Sequence, residues 1–207
     1  RAFGVAAGAA VLVFLSPLCA LTVALFTARG IHHLVLILVL APALAHALPL
    51  GRRGGAASFV LLSVALWAWH VPALYAAAWD HAAVYWLMQA ALGLPAWVFW
   101  SCLLRGVRAG GGADAGAGLY LSGLAVQMGL IGAILTFAPR LLYAEHLAGT
   151  AAFGIDPLHD QQLAGLVMWV PGMVPLVLMG GMMLRRGWRA LDAGVPVPAP
   201  GRRGERA

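Results

Sequence analysis

From Leu163 to Leu184 the chain reads LAGLVMWVPGMVPLVLMGGMML, 22 residues without one charged side chain. At 1.5 Å of rise per residue, a helix of that length runs about 33 Å, enough to cross the roughly 30 Å hydrocarbon layer of a bilayer. A transmembrane β-barrel would instead alternate apolar and polar residues in segments of about ten. The rest of the chain repeats the pattern. Spans of about 20 residues or more fall at roughly 3–27, 31–50, 57–78, 83–104, 117–142 and 161–185. The expected fold is all-α, a polytopic transmembrane bundle of about six helices.

Composition supports this reading. Of 207 residues, 62% are hydrophobic and only 10% are charged, against about 25% charged in a soluble domain. So few charges cannot cover a water-facing surface, which excludes a soluble enzyme, a secreted disulfide module or a disordered chain. Cys19 and Cys102 lie in different apolar runs and form no Cys-x-x-Cys pair, so a thiol-disulfide or cysteine-zinc site is not expected. The first residue is Arg1, which points to a fragment.

All 13 basic residues are Arg, and the net charge is +6. On alternating helices, 11 of them fall on one side, and only Arg29 and Arg140 on the other. By the positive-inside rule the Arg-rich side is cytoplasmic, with both termini of this chain inside. That pattern accounts for the basic balance without a nucleic-acid partner. The expected lipid partner is the bilayer of a bacterial plasma (inner) membrane. Residues 1–186 form the bundle, and residues 187–207, rich in Pro, Gly and Arg, form a disordered cytoplasmic tail.

Six of the seven histidines collect at the opposite end: His32, His33, His70, His81, His146 and His159. Intramembrane ionisable groups are costly and tend to be functional. His33 and His70 are flanked by apolar sequence and are expected to face inward. His81, His146 and His159 are read as loop histidines at the water interface. His32 and His33 point about 100° apart around the helix, so one can face the bundle while the other faces the headgroups. Pro72 loosens the turn around His70, and Trp67, Trp69 and Trp79 form an interfacial belt. Tyr85, Met88 and Gln89 share one helix face, with His81 a turn earlier. A thioether and an imidazole suit Cu(I). Asp160 is placed to cap the sixth helix, followed by a stripe of Gln161, Gly165, Met168 and Gly172. Small residues on that stripe let helices approach closely. No catalytic triad, phosphate loop or carboxylate pair is found, so no enzyme activity is expected.

Four segments resemble the CtaG-type cytochrome c oxidase assembly factors, integral membrane proteins linked to copper. They are His33-Leu34-Val35-Leu36 with Pro42; Trp69-His70-x-Pro72-x-x-Tyr75; Leu135-Thr136-Phe137 leading to Tyr143; and Asp160 through Met168, Trp169 to Gly172. The resemblance runs from about residue 28 to 186. It implies a non-enzymatic factor that assists copper delivery or insertion at the outer, periplasmic face. Its partners would be haem–copper oxidase subunits or a copper donor protein. It also implies a seventh helix preceding this chain. The implied metal ligands are His33 and His70, with His81 and Met88 standing in for family histidines. Arg29, Tyr85 and Gln89 occupy places where the family commonly has His, so copper is implied by the family more than by this chain's own ligands. Two other readings stay open: a bis-His haem cytochrome ligated by His33 and His70, and a metal-free scaffold acting through Gly129, Gly132, Gly165 and Gly172.

Overall fold

The computed structural model describes residues 2–50, 55–109 and 112–194. The expected tail beyond 194, and Arg52 and Arg53, lie outside the described residues. The described residues are helical, with no strand among them. In chain order the helices are α1 (Ala2–Phe14), α2 (Pro17–Ala24), α3 (Phe26–Val35), α4 (Ala41–Ala47), α5 (Gly55–Ala68), α6 (Pro72–Asp80), α7 (Ala82–Ala109), α8 (Gly112–Thr136), α9 (Leu147–Ala152) and α10 (Pro157–Asp192). One π-helical turn, Leu36–Leu40, joins α3 to α4. Five helical stretches are long and apolar enough to cross a membrane: Ala2–Ala24, Phe26–Ala47, Ala82–Arg108, Ala115–Thr136 and Pro157–Asp192. Counted as one broken span, the bent pair α5–α6 brings the number among the described residues to six. The chain is a multi-pass helical membrane protein.

Several breaks differ from expectation. The first two spans do not part at Arg29-Gly30. They part at Leu25, whose backbone is extended, and both residues lie inside α3. The third span is not one rod over 57–78. It turns by 84° between α5 and α6. Pro72, at the start of α6, has no N–H to continue the α5 ladder, and residues 69–71 close as tight turns instead. The Tyr143 hydroxyl donates to the carbonyl of His70 at 2.8 Å and so satisfies a backbone acceptor freed at the bend. The last helix continues past Arg186 to Asp192.

Helices α8 and α10 pack backbone to backbone. A Cβ at Gly165 would sit 2.6 Å from the Gly132 carbonyl oxygen, and one at Gly132 would sit 2.7 Å from the Gly165 oxygen. Between lipid-exposed helices the hydrophobic effect supplies little, and close packing with interhelical hydrogen bonds holds them together. Such bonds also tie α5 to α8 and α7 to the second span. Gln127 Nε2 donates to Ser63 Oγ at 3.0 Å, Trp100 Nε1 to the Ile37 carbonyl at 2.8 Å, and Trp97 Nε1 to the Leu48 carbonyl at 3.0 Å. The whole Gln161–Gly165–Met168–Gly172 stripe is buried.

Candidate functional site

The polar groups of the histidine-rich end are organised by Asp160. It is not the cap of its own helix. Asp156 is, accepting from His159 N at 2.9 Å. One turn into α10, Asp160 turns sideways and caps α3 instead. Its carboxylate accepts from Phe26 N at 2.6 Å and Thr27 N at 3.2 Å, and its carbonyl accepts from the Thr27 hydroxyl at 2.8 Å. With this contact α3 starts at Phe26, five residues before the expected start at 31, and Arg29 falls inside the helix. Gln161, next along, fastens the loop after α8. It accepts from Leu142 N at 2.7 Å and donates to the Arg140 carbonyl at 3.2 Å. Trp169 meets Phe137 edge-on at 5.7 Å.

Arg29 is therefore not an outer loop residue. It is 4% exposed. Its guanidinium lies 5.0 Å from the Tyr75 ring centroid, 5.5 Å from Trp79 and 5.8 Å from Tyr85. Nε donates to the Thr22 carbonyl at 3.3 Å, while Nη1 has no partner. No carboxylate among the described residues pairs with it. Desolvated cation–π contacts are worth about 2 kcal/mol each, and this three-ring cage substitutes for a counter-ion.

Beneath Arg29 lies a cavity of about 30 Å³ whose wall includes His33, His70, Tyr75, Met128 and Met168. That volume takes a water or one ion, far below the several hundred Å³ of a cofactor pocket. His33 Nε2 is buried and unpartnered. His70 Nδ1 donates to the Leu66 carbonyl at 2.6 Å. This leaves its Nε2 with a free lone pair, the arrangement that orients metal-bound imidazoles. His33 and His70 thus line one cavity with Met128 and Met168, of which Met128 carried no sequence signal beyond its type.

The other candidates lie elsewhere. His81 is exposed at the α6–α7 break, and Met88 is fully buried in the core outside the cavity wall. His32 does not face headgroups. It is buried, with Nε2 at 3.0 Å from the Val13 carbonyl, because α1 packs over this side of α3. His159 is exposed as expected.

His146 is the residue most misjudged from sequence. It is 2% exposed, and its Nε2 lies 2.6 Å from the Tyr75 hydroxyl. Phe26, Tyr75 and Trp79 surround its ring. The polar loop folds back through the turn Ala144–His146 and α9, and so buries it. Burial, and then the Arg29 charge, push the imidazole down from 6.5 to about 4. The neutral ring is favoured in the folded chain, while the unfolded chain takes up its proton near pH 6.5. Stability from His146 is therefore complete above pH 6.5, lost as pH falls toward 4, and flat below. The full loss is about 3 kcal/mol. Thermal unfolding of the purified protein between pH 7 and 4 should show this decline, and His146→Gln should make it shallower. An equally steep decline in the variant would assign the acid sensitivity elsewhere.

The profile of the Cytochrome c oxidase caa3 assembly factor (Caa3_CtaG) family matches residues 55–190. The chain belongs to this family. The caa3 assembly factor match takes in His70, Tyr75, Tyr143 and the stretch from Asp160 to Gly172, and it leaves α3, with Arg29 and His33, outside. No match is found among curated proteins or solved structures.

Proposed function

We propose that this chain serves cytochrome c oxidase assembly by holding Cu(I) as cargo at its histidine-rich end and passing it to an oxidase subunit. The observation that carries this reading is the composition of the cavity wall. His33, whose Nε2 is unpartnered, His70, whose Nδ1 is already committed, and Met128 and Met168 line a space large enough for one ion. Imidazole and thioether donors suit Cu(I) and disfavour hard cations. The ligands bind without releasing protons if both imidazoles are neutral, so the cargo can leave by simple ligand exchange with a donor or acceptor protein. The Arg asymmetry supports reading this end as the periplasmic face of a bacterial inner membrane. His81, exposed at the same end, is a docking-side ligand rather than a cavity ligand in this reading, and Met88 has no part in it.

The test is direct. The purified protein is loaded with Cu(I) under reducing conditions and the bound metal is measured. One copper per chain is expected, lost in the His33→Ala/His70→Ala double variant. Unchanged stoichiometry in that variant would remove both histidines from the ligand set.

A further inference from the structure

Among the described residues that line the cavity at the histidine-rich end, Arg29 is the only one with a permanent charge. A guanidinium stays protonated whatever surrounds it, so burial cannot remove that charge. The three aromatic rings stabilise it but take no hydrogen bond from Nη1, which is left buried and without a partner. One turn along α3, His33 has a second buried and unpartnered nitrogen, Nε2, and lines the same cavity. Residues four apart on a helix are neighbours on one face. No partner fixes the proton at His33 Nε2, so this nitrogen can carry it and donate. The carboxylates of this end do not supply the missing anion. Asp160 is spent on Phe26 N and Thr27 N. Glu145, in the turn before α9, is no part of the cavity wall, although its Oε2 is also unpartnered. An uncompensated positive charge and two unused nitrogens therefore border space for a single ion.

We propose that this cavity, when it holds no metal, binds one small monovalent anion, chloride, against Arg29 and His33. Arg29 Nη1 donates a charge-assisted hydrogen bond to the ion, and His33 Nε2–H donates a second. A water molecule in the same place would satisfy both nitrogens but leave the guanidinium uncompensated. Away from bulk water a charge gains far more from a counter-ion than from a neutral dipole. Carboxylate and phosphate anions are too large for about 30 Å³. In the other tautomer His33 Nε2 offers a lone pair instead of a proton, so anion and Cu(I) exclude one another at this nitrogen. The inference concerns the metal-free cavity and holds whether or not copper binds there.

The experiment uses the full chain, purified in detergent, stripped of metal with a chelator and exchanged into sodium gluconate. Chloride is titrated in at constant ionic strength and read by the broadening of its NMR line and by thermal stabilisation. A saturable, single-site response is expected, with bromide displacing chloride. Arg29→Gln should weaken binding on the order of 10–100-fold, the size of one hydrogen bond to a charged group, and His33→Phe about tenfold. Arg140→Gln, at an exposed arginine of the same end, should change nothing. Anomalous scattering from bromide-soaked crystals of the wild-type protein should place the ion beside Arg29, which decides the matter even if a variant fails to fold. No response beyond that to gluconate would leave water in the cavity and overturn the proposal. So would bromide found only elsewhere, or an equal loss in Arg140→Gln. Cu(I) loading is measured separately in gluconate. A chain that takes copper but no chloride refutes this inference alone, and one that takes chloride but no copper refutes only the cargo reading.

Discussion

Asp160→Ala is expected to destabilise the protein by about 3–5 kcal/mol, a larger loss than any cap normally gives. Its buried carboxylate accepts two backbone N–H bonds at the start of α3. A hydrogen bond to a charged group is worth roughly 1.5–3 kcal/mol, and the charge also meets the positive end of the α3 dipole. Alanine leaves both donors buried, at a depth where little water can replace the carboxylate. Unfolding in detergent should shift down by about 6–20 °C for a chain of this size. Asp160→Asn keeps the shape and an acceptor, and Asn caps helices nearly as well as Asp, so the order should be wild type, then Asn, then Ala. Asp156→Ala removes the cap of α10 itself, at an exposed site, and should cost only about 1 kcal/mol. If Asp160→Ala proved no worse than Asp156→Ala, the cross-helix cap would not be what orders α3.

This pair of residues also shows where sequence reasoning ends. An acidic residue ahead of an apolar run announces a helix start, and on that pattern Asp160 reads as the cap of its own helix, a place that Asp156 takes. Which helix each one caps depends on what lies beside it, and Phe26 is 134 positions away from Asp160. The same gap displaced Arg29. A lone Arg between two apolar runs reads as a loop charge until Asp160 starts the helix before it and three aromatic rings close around it. His146 was hidden for a related reason, since a polar loop says nothing of whether it folds back. Features carried by local pattern were legible. The apolar runs mark the membrane spans, and the Gly165 stripe marks the face that meets α8, whereas Pro72 reads as a loosened turn and not as the 84° bend it makes. His33 and His70 could be placed at one end of the bundle from sequence, but only the 84° turn at Pro72 brings His70 to the cavity that His33 lines.

Arg29→His is expected to raise Cu(I) affinity on the order of 100-fold. The family resemblance puts a histidine at this place, and the structure shows what the arginine does there. Its guanidinium is buried, lines the same cavity as His33, His70, Met128 and Met168, and has no paired carboxylate. A fixed positive charge roughly 5–6 Å from a bound cation costs about 3 kcal/mol at an effective dielectric near 20, which corresponds to about 100-fold in affinity. Histidine removes that charge and adds a borderline donor suited to Cu(I). Two further variants separate these effects. Arg29→Ala removes the charge without adding a ligand and should give part of the gain. Arg29→Lys keeps the charge, gives up the planar stacking on Tyr75, Trp79 and Tyr85, and should give none. Each variant loses cation–π contacts, so thermal stability should fall in all three while copper affinity moves in different directions. Competition against a chromophoric Cu(I) chelator reads the affinity directly. Equal affinities for wild type and Arg29→His would mean that the ion does not sit near the guanidinium, and the cavity would then have to be abandoned as the copper site. A gain confined to the uncharged variants would instead identify Arg29 as the residue that makes this chain a weak holder of its cargo, and weak holding is what a protein needs if it must release the metal to an oxidase.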